Sequence, residues 1–415
     1  MPEMKDSGIE WVGLCPSHWE IMANKYIMKK IKDVKPKYAG EDILSLTMNG
    51  VIVRDLDAGG KMPTSFDGYQ TLYPNNLLMC LFDYDVTPRC IGLIKNNGVC
   101  SPAYSQFVLK NDNCAEYYYY YYMMIDNTKE LLHLAKNLRH SFTEEQLGSI
   151  NAPVPPIEEQ KAIAKVLDVK CFEIDALIAD IQSEIEILEE YKKSVITEAV
   201  TKGLNSAVQM KDSGIEWAAK VPEHWKIMAN KYVMKKVKEI SPKYSGEDIL
   251  SLTMNGVIVR DLDAGGKMPA TFDGYQRVYA GNLLMCLFDY DVTPRCIGLV
   301  KNNGLTSPAY SQFVMKNGNS AKYYYYYYLM IDNTKELLHL AKNLRHSFTE
   351  EQLGAINTPV PPIEEQVDIA NYLDVKIEQI EQTIGLKKEQ LETLEEYKKS
   401  VIYEYVTGKK EVPLS

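Results

Sequence analysis

Residues 155–202 read PPIEEQKAIAKVLDVKCFEIDALIADIQSEIEILEEYKKSVITEAVTK, and the architecture turns on this stretch. After Pro153, Pro155 and Pro156 no proline or glycine occurs until Gly203. Nothing therefore interrupts a helix of about 45 residues, roughly 65 to 70 Å long at 1.5 Å per residue. Its apolar positions step by four and three through Leu167, Cys171, Ile174, Ile178, Ile181, Ile185 and Leu188, then Val195 and Ala199. A heptad seam of this kind needs a partner, because a lone helix leaves it in water. The prolines stop the preceding segment, and Glu158 and Glu159 fall in the first helical turn, where the macrodipole favours negative charge.

The chain supplies a partner of the same length. Residues from Met4 onward align with residues from Met210 onward at a constant offset of 206, without a gap. Up to Pro155 the two copies share 124 of 152 positions, whereas from Pro156 to Lys202 they share 26 of 47, so the first part is nearly a copy and the helix has drifted. The second helix keeps the register with Leu373, Ile377, Ile380, Ile384, Leu391, Leu394, Val401 and Tyr405, interrupted by Lys387 and Lys398. Between Cys171 and Ile187 only three of 17 positions match, and two of them, Ile174 and Ile178, lie on the seam. Complementary rather than identical partners are expected, so the two helices should pack on each other. The competing arrangement leaves each helix on its own globular part.

The part preceding each helix reads as a mixed α/β domain. DILSLTMNGVIVRD and NLLMCLFDYD carry short apolar runs bounded by Asn-Gly, Asp and Gly, and SPAYSQFVLK adds an alternating strand. Helical segments are predicted at residues 129–137 and across the tyrosine run Tyr117–Tyr122, whose rings must point in every direction and so mostly pack, with hydroxyls reaching the surface. A role for these rings in stacking on bases is the weaker reading.

Composition limits the function classes. The 415 residues suffice for several cores, and a formal charge of −10 argues against a general polyanion coat, so any nucleic-acid surface must be local. No run of about 18 apolar residues occurs, and MPEMKDSGIEW has acids where a secretory signal needs a basic and then an apolar run, which predicts a cytoplasmic protein that engages no membrane. The eight cysteines form no CxxC pair, and Cys100 and Cys114 become Thr306 and Ser320 in the second copy. A disulfide framework or zinc site would not survive that exchange.

Two motifs carry a resemblance over the whole chain. DSGIEWVGLCPSHWEI, repeated as DSGIEWAAKVPEHWKI, resembles the domain-entry motif of the specificity subunits of type I restriction-modification systems, with Gly8, Ile9, Trp11, Pro16, His18 and Trp19 in place. LRHSFTEEQLGSINAPVPPIEEQKAIAKVLD resembles the same family's junction into its conserved helix, through Pro155, Pro156, Glu159, Gln160, Ile163, Ala164, Leu167 and Asp168, and again Pro361, Pro362, Glu365, Gln366, Ile369, Ala370, Leu373 and Asp374. The resemblance implies a mixed α+β fold. Two α/β target-recognition domains, 1–155 and 205–361, would alternate with two long helices, 156–204 and 362–408, ahead of a tail at 409–415. The helices would form an antiparallel coiled coil with pseudo-two-fold symmetry. It also implies double-stranded DNA as ligand and two methyltransferase subunits and restriction/translocase subunits as partners. AdoMet, ATP and magnesium would then be bound by those partners and not by this subunit.

Family members usually pair dissimilar recognition domains, while these two are almost the same. Equivalent readers related by a two-fold axis meet the strands in opposite directions, so the expected target is an inverted repeat with half-sites near one turn, about 10 base pairs, apart. Recent duplication alone would also leave such identity. Thr71 to Arg277, Glu116 to Lys322, Glu20 to Lys226 and Lys35 to Ser241 are the substitutions able to break the symmetry, and Arg277 stands out because arginine can grip guanine bidentately.

DNA contacts call for basic and polar side chains in loops of the shared blocks. Asn49, Arg54 and Lys61, copied as Asn255, Arg260 and Lys267, lie in the perfectly repeated stretch Gly40–Pro63, where Gly59 and Gly60 allow close backbone approach. Arg89 and Lys95, copied as Arg295 and Lys301, form a second candidate group. Arg139, His140 and Ser141, copied as Arg345, His346 and Ser347, form a third beside the helix junction. Each competes with an ordinary solvated or salt-bridged role.

No residue is expected to be catalytic or to ligate a metal. SPAY at Ser101 and Ser307 lacks the second proline and the amide or acid of an adenine methyltransferase tetrad, and no GxxxxGK[ST] loop occurs. Asp83 and Asp85 suit turn capping better than a metal. Three alternatives stay open: a related system with methylase and nuclease fused in one partner, a protein-only coiled-coil scaffold, and a self-contained nuclease or methylase.

Overall fold

The alternation in DILSLTMNGVIVRD folds as an antiparallel hairpin, Leu44–Thr47 with Gly50–Val53, in which Leu44 faces Val53 and Thr47 faces Gly50. The computed structural model describes residues 3–57, 63–135, 140–264, 269–341 and 346–413. They fall into two compact units, Met1–Gln182 with Glu389–Ser415, and Ser183–Lys388.

In the first unit a four-stranded antiparallel sheet runs in the order Met28–Ile31, Ser105–Leu109, Leu77–Met79, Ile91–Leu93. The hairpin backs onto this sheet at Gly92, where an added Cβ would lie 2.6 Å from both Leu46 Cδ1 and Val51 Cγ2. Only glycine permits that approach. Short ribbons pair Gln70–Leu72 with Gly98–Cys100, Glu20–Ala23 with Asn151–Val154, and Met4–Asp6 with Leu14–Pro16. The second unit repeats the sheet as Met234–Val237, Ser311–Met315, Leu283–Met285, Ile297–Leu299. Its hairpin is Leu250–Thr253 with Gly256–Val259.

The tyrosine run is helical, within Ala115–Thr128, and ends where Lys129 turns left-handed (φ 53°). Residues Glu130–Leu134 continue as a 3₁₀ helix, and residues 136 and 137 of the predicted helical segment lie outside the described residues. Five of the six rings are buried, and their hydroxyls bond inside the protein instead of reaching the surface. Tyr117 donates to the Val406 carbonyl (2.9 Å), Tyr118 to Pro153 (3.2 Å), Tyr120 to Asp168 Oδ1 (2.8 Å) and Tyr122 to Asn24 Oδ1 (2.5 Å), while Tyr121 accepts from Trp11 Nε1 (3.1 Å). A buried hydroxyl without a partner is costly, and here each of these rings is a fastening point for a different element. Burial pushes the Tyr121 phenol well up from its ordinary value and the Tyr119 phenol up to about 12.

The long helices span Ile157–Lys202 and Ile363–Val406. Their entry is held by the two sequence motifs acting on each other. Glu159 sits in the first turn of its helix, its Oε2 accepting from Trp19 Nε1 (2.8 Å) and its Oε1 lying 2.7 Å from His18 Nε2. Gln160, fully buried, accepts from the Cys114 amide (2.9 Å) at the start of the tyrosine helix and donates to Asn113 and Pro155 (both 2.8 Å). In the second unit Glu365 meets Trp225 (3.0 Å) and His224 (2.9 Å), and Gln366 accepts from the Ser320 amide (2.8 Å).

Each unit also takes in the far end of the other long helix. In the first, Val401, Ile402, Tyr405 and Val406 share a core with Trp19, Tyr117, Leu167 and Cys171. In the second, Val195, Ile196, Ala199 and Val200 share one with Trp225, Tyr323 and Leu373, and Tyr323 donates to the Val200 carbonyl (2.9 Å). Within each unit the two helices run antiparallel. Lys387 pairs with Glu184 (2.5 Å) and Lys192 with Glu381 (3.8 Å) in the second, and Lys398 with Asp175 (2.6 Å) in the first. The lysines that interrupt the seam thus make cross-helix ion pairs. Leu167, Ile174, Val195, Leu373, Ile380, Ile384 and Val401 are buried. Ile178, Ile181, Ile185, Leu188, Ile377, Leu391 and Leu394 are half-buried, as expected where two helices alone share a seam.

All eight cysteines are free thiols. No described helix is long and apolar enough to cross a membrane.

Candidate nucleic-acid interface

The hairpin turn at Met48–Asn49 presents an exposed Asn49, whose amide donates to Thr47 Oγ1 (3.1 Å), and Asn255 is placed alike (3.2 Å). Arg54 leaves the hairpin half-buried with its amide on the Ile43 carbonyl (2.7 Å), and its charge reaches Tyr104. Arg260 matches it, on Ile249 (2.7 Å) and near Tyr310. Lys95 and Lys301 are exposed. Lys61, Lys267, Arg139 and Arg345, with Gly59 and Gly60, lie outside the described residues.

Arg89 is held inside the protein. Its Nη1 contacts Asp126 Oδ2 (3.1 Å) and Asn127 Oδ1 (2.9 Å) at the end of the tyrosine helix. Asp126 is buried and also accepts from the Cys90 amide (3.0 Å) and from Lys129 Nζ (2.6 Å). Lys129 in turn donates to the Thr87 carbonyl (2.8 Å) and lies over the Tyr84 ring at 4.7 Å. A buried carboxylate with two cations and an amide is a satisfied network, and breaking it strands a charge. Arg89 therefore braces the loop Asp83–Cys90 from behind. Arg295, with Asp332 (3.2 Å) and Asn333 (2.9 Å), does the same in the second unit.

Residues 140–142 run beside that loop. The His140 carbonyl accepts from the Tyr84 amide (3.2 Å), the Phe142 amide donates to Leu81 (2.7 Å), and the Phe142 and Tyr84 rings meet edge to face at 5.3 Å. His140 Nδ1 lies 2.9 Å from Asp85 Oδ2, in contact with the carboxylate though off the line of an ideal hydrogen bond. Partial burial raises the Asp85 carboxyl, but the imidazole and its own backbone amide outweigh this and hold it below the usual carboxylate range. His346 and Asp291 repeat the pair at 3.0 Å. Ser141 and Ser347 follow directly, half-buried and engaged. Asp85 thus orients a histidine, a role that turn chemistry alone did not suggest.

Arg277 is engaged by its neighbours: Nη2 lies 3.2 Å from Glu247 Oε1 and 3.1 Å from Ser241 Oγ, and Nε 3.6 Å from Glu239 Oε1. At the matching place in the first unit Lys35 pairs with Glu41. The exchanges Lys35 to Ser241 and Thr71 to Arg277 move one cation between adjacent positions and leave the local charge alike. Lys322, which like Lys226 is a cation absent from the first copy, pairs with Asp374 (2.6 Å) on the long helix Ile363–Val406. Among the described residues no three His, Cys, Asp or Glu side chains gather closely enough to hold a metal ion.

Two segments, residues 21–187 and 296–396, match the model of the type I restriction modification DNA specificity domain. The chain belongs to that family. The type I restriction enzyme MjaVIII specificity subunit of Methanocaldococcus jannaschii is 27% identical over 282 residues, 63% of this chain and 62% of that one. The chain thus spans less than two thirds of the length of this specificity subunit. Among solved structures, a chain described for complex assembly and conformational transition of the type I R-M system superposes with a TM-score of 0.70 at 12% identity, covering 95% of this chain and 99% of that one. The HsdS subunit from Thermoanaerobacter tengcongensis superposes at 0.50 and 14% identity, covering 95% and 98%. At such identities the likeness is one of fold.

Proposed function

We propose that this specificity-family chain is a non-catalytic reader of double-stranded DNA in a type I restriction-modification complex, recognising a bipartite inverted repeat. The observation that carries the reading is duplication of the candidate surface itself. Asp83–Cys90 and His140–Phe142 recur without change as Asp289–Cys296 and His346–Phe348, on the same braced loops. Equivalent readers linked through antiparallel helices address opposite strands, so the half-sites are the same sequence inverted, their centres about one turn, 10 base pairs, apart. Two methyltransferase subunits dock on this chain and bring AdoMet, and restriction subunits bring ATP and magnesium. The complex works in the cytoplasm.

The test is to co-express the chain with its neighbouring methyltransferase and map N6-methyladenine across the genome. A gapped palindromic motif that appears only with both proteins supports the reading. Methylation or cleavage by the purified chain alone, or a non-palindromic bipartite motif, overturns its non-catalytic or its symmetric part respectively.

A further inference from the structure

The loop Asp83–Pro88 and the histidine beside it have the same backbone and the same exposure in both units. Asp83 and His140 both hold left-handed backbone (φ 46° and 42°), as do Asp289 and His346 (φ 47° and 42°), although neither residue type is glycine. Val86 and Val292, at the loop tips, are 72% and 73% exposed. Behind them Arg89 and Lys129 close on the buried Asp126. In both units the same braced loop sets an exposed valine beside a partly exposed histidine, the kind of apolar and polar pair that a base edge can meet.

The histidine geometry indicates what. The Asp85 carboxylate beside Nδ1 favours the tautomer that carries its hydrogen on that nitrogen, and in that tautomer Nε2 is an acceptor. His140 and His346 side chains are 41% and 39% exposed, so that atom has room to be approached. In the major groove the complementary donors are the exocyclic amino groups of adenine and cytosine, and the apolar partner for a valine is the thymine methyl.

Resting on the DNA-reading role above, we propose that His140 with Val86, and His346 with Val292, are the specificity-determining pair of each module. The histidine accepts from a base amino group, and the valine packs on a neighbouring thymine methyl. Asp85 and Asp291 are positioning residues that act through the histidines.

The test uses the full chain with its methyltransferase partner, and the readout is the methylated motif. His140→Asn suits the left-handed backbone but is too short to reach both Asp85 and a base. We expect it to relax one base position in one half-site about tenfold or more, with the other half-site unchanged and the melting temperature retained. His346→Asn should relax the matching position in the other half-site. Val86→Ala should weaken selection for thymine at an adjacent position, and Asp85→Asn should relax the same position as His140→Asn, which a purely structural role would not do. An unchanged motif, or a uniform loss of methylation at all sites, overturns the proposal. If the unaltered complex selects no sequence at all, it is the DNA-reading role that fails.

Discussion

Glu159 and Trp19 stand 140 residues apart in the chain and are joined by a 2.8 Å hydrogen bond from the indole Nε1 to the carboxylate Oε2. The indole is buried, so removing the acceptor leaves its N–H without a partner. Glu159→Ala should destabilise the first unit by about 1 to 3 kcal/mol. Calorimetry should show its melting temperature falling by several degrees, and Glu365→Ala should do the same to the second unit.

The glycines after the long helices should differ in their tolerance of a methyl group. Both have left-handed backbone, φ 76° at Gly203 and 72° at Gly408. A Cβ on Gly408 would lie 2.4 Å from the Pro16 ring, whereas one on Gly203 would lie 2.8 Å from Glu365 Oε1, the carboxylate oxygen that Trp225 and His224 leave unused. Gly203→Ala should cost about 1 kcal/mol, the usual left-handed penalty, and Gly408→Ala clearly more. Urea unfolding of the two variants checks the order.

The relocated cation predicts a limited rescue. The hydrogen bond from Lys35, with help from the Ala39 amide, lowers the Glu41 carboxyl to about 2 from an ordinary 4.5. A depressed carboxylate adds stability above its unfolded value, and that contribution is lost as pH falls from there toward 2. Lys35→Ser should raise the Glu41 titration seen by NMR and flatten acid sensitivity in this window. Lys35→Ser with Thr71→Arg should restore only a small part of both, because at Glu247 the backbone amides and the Ser245 hydroxyl lower the carboxyl more than Arg277 does.

Along the helix pair, apolar contacts should outweigh charges. Ile380→Ala removes a buried seam side chain and should cost about 2 to 4 kcal/mol. Asp175→Asn breaks a partly exposed pair with Lys398 and should change stability by less than about 1 kcal/mol. Denaturant midpoints of the two variants provide the comparison.

The long helices, their seam and the duplicated frame were legible because period and proline boundaries are local signals. The hairpin at Asn49 was legible for the same reason. The inward role of Arg89 was not, since the buried Asp126 that claims it lies 37 residues further on in a tyrosine-rich helix. Taken alone, Arg277 offered a base contact beside the ordinary role of a surface arginine. Read together with the change at position 35, the same comparison of copies would have shown a moved ion pair. The anchoring of each helix end in the other unit also left a trace. YKKSVI at 191–196 recurs at 397–402 while the middle of the helix has drifted, which marks both ends as bound to like surfaces. The tyrosine hydroxyls left no trace, because a homopolymer run has no pattern to read.

The bond from Tyr117 to the Val406 carbonyl closes across 289 residues, and with Lys409 reaching the Val12 carbonyl (2.6 Å) it ties the first unit's assembly to the order of translation. Residues 183–388 can close as soon as they leave the ribosome. The unit begun first must wait, its Trp19 face uncovered, until the stretch around Val401–Lys409 emerges. A polypeptide cut short before that point leaves the first unit without the residues that close its core.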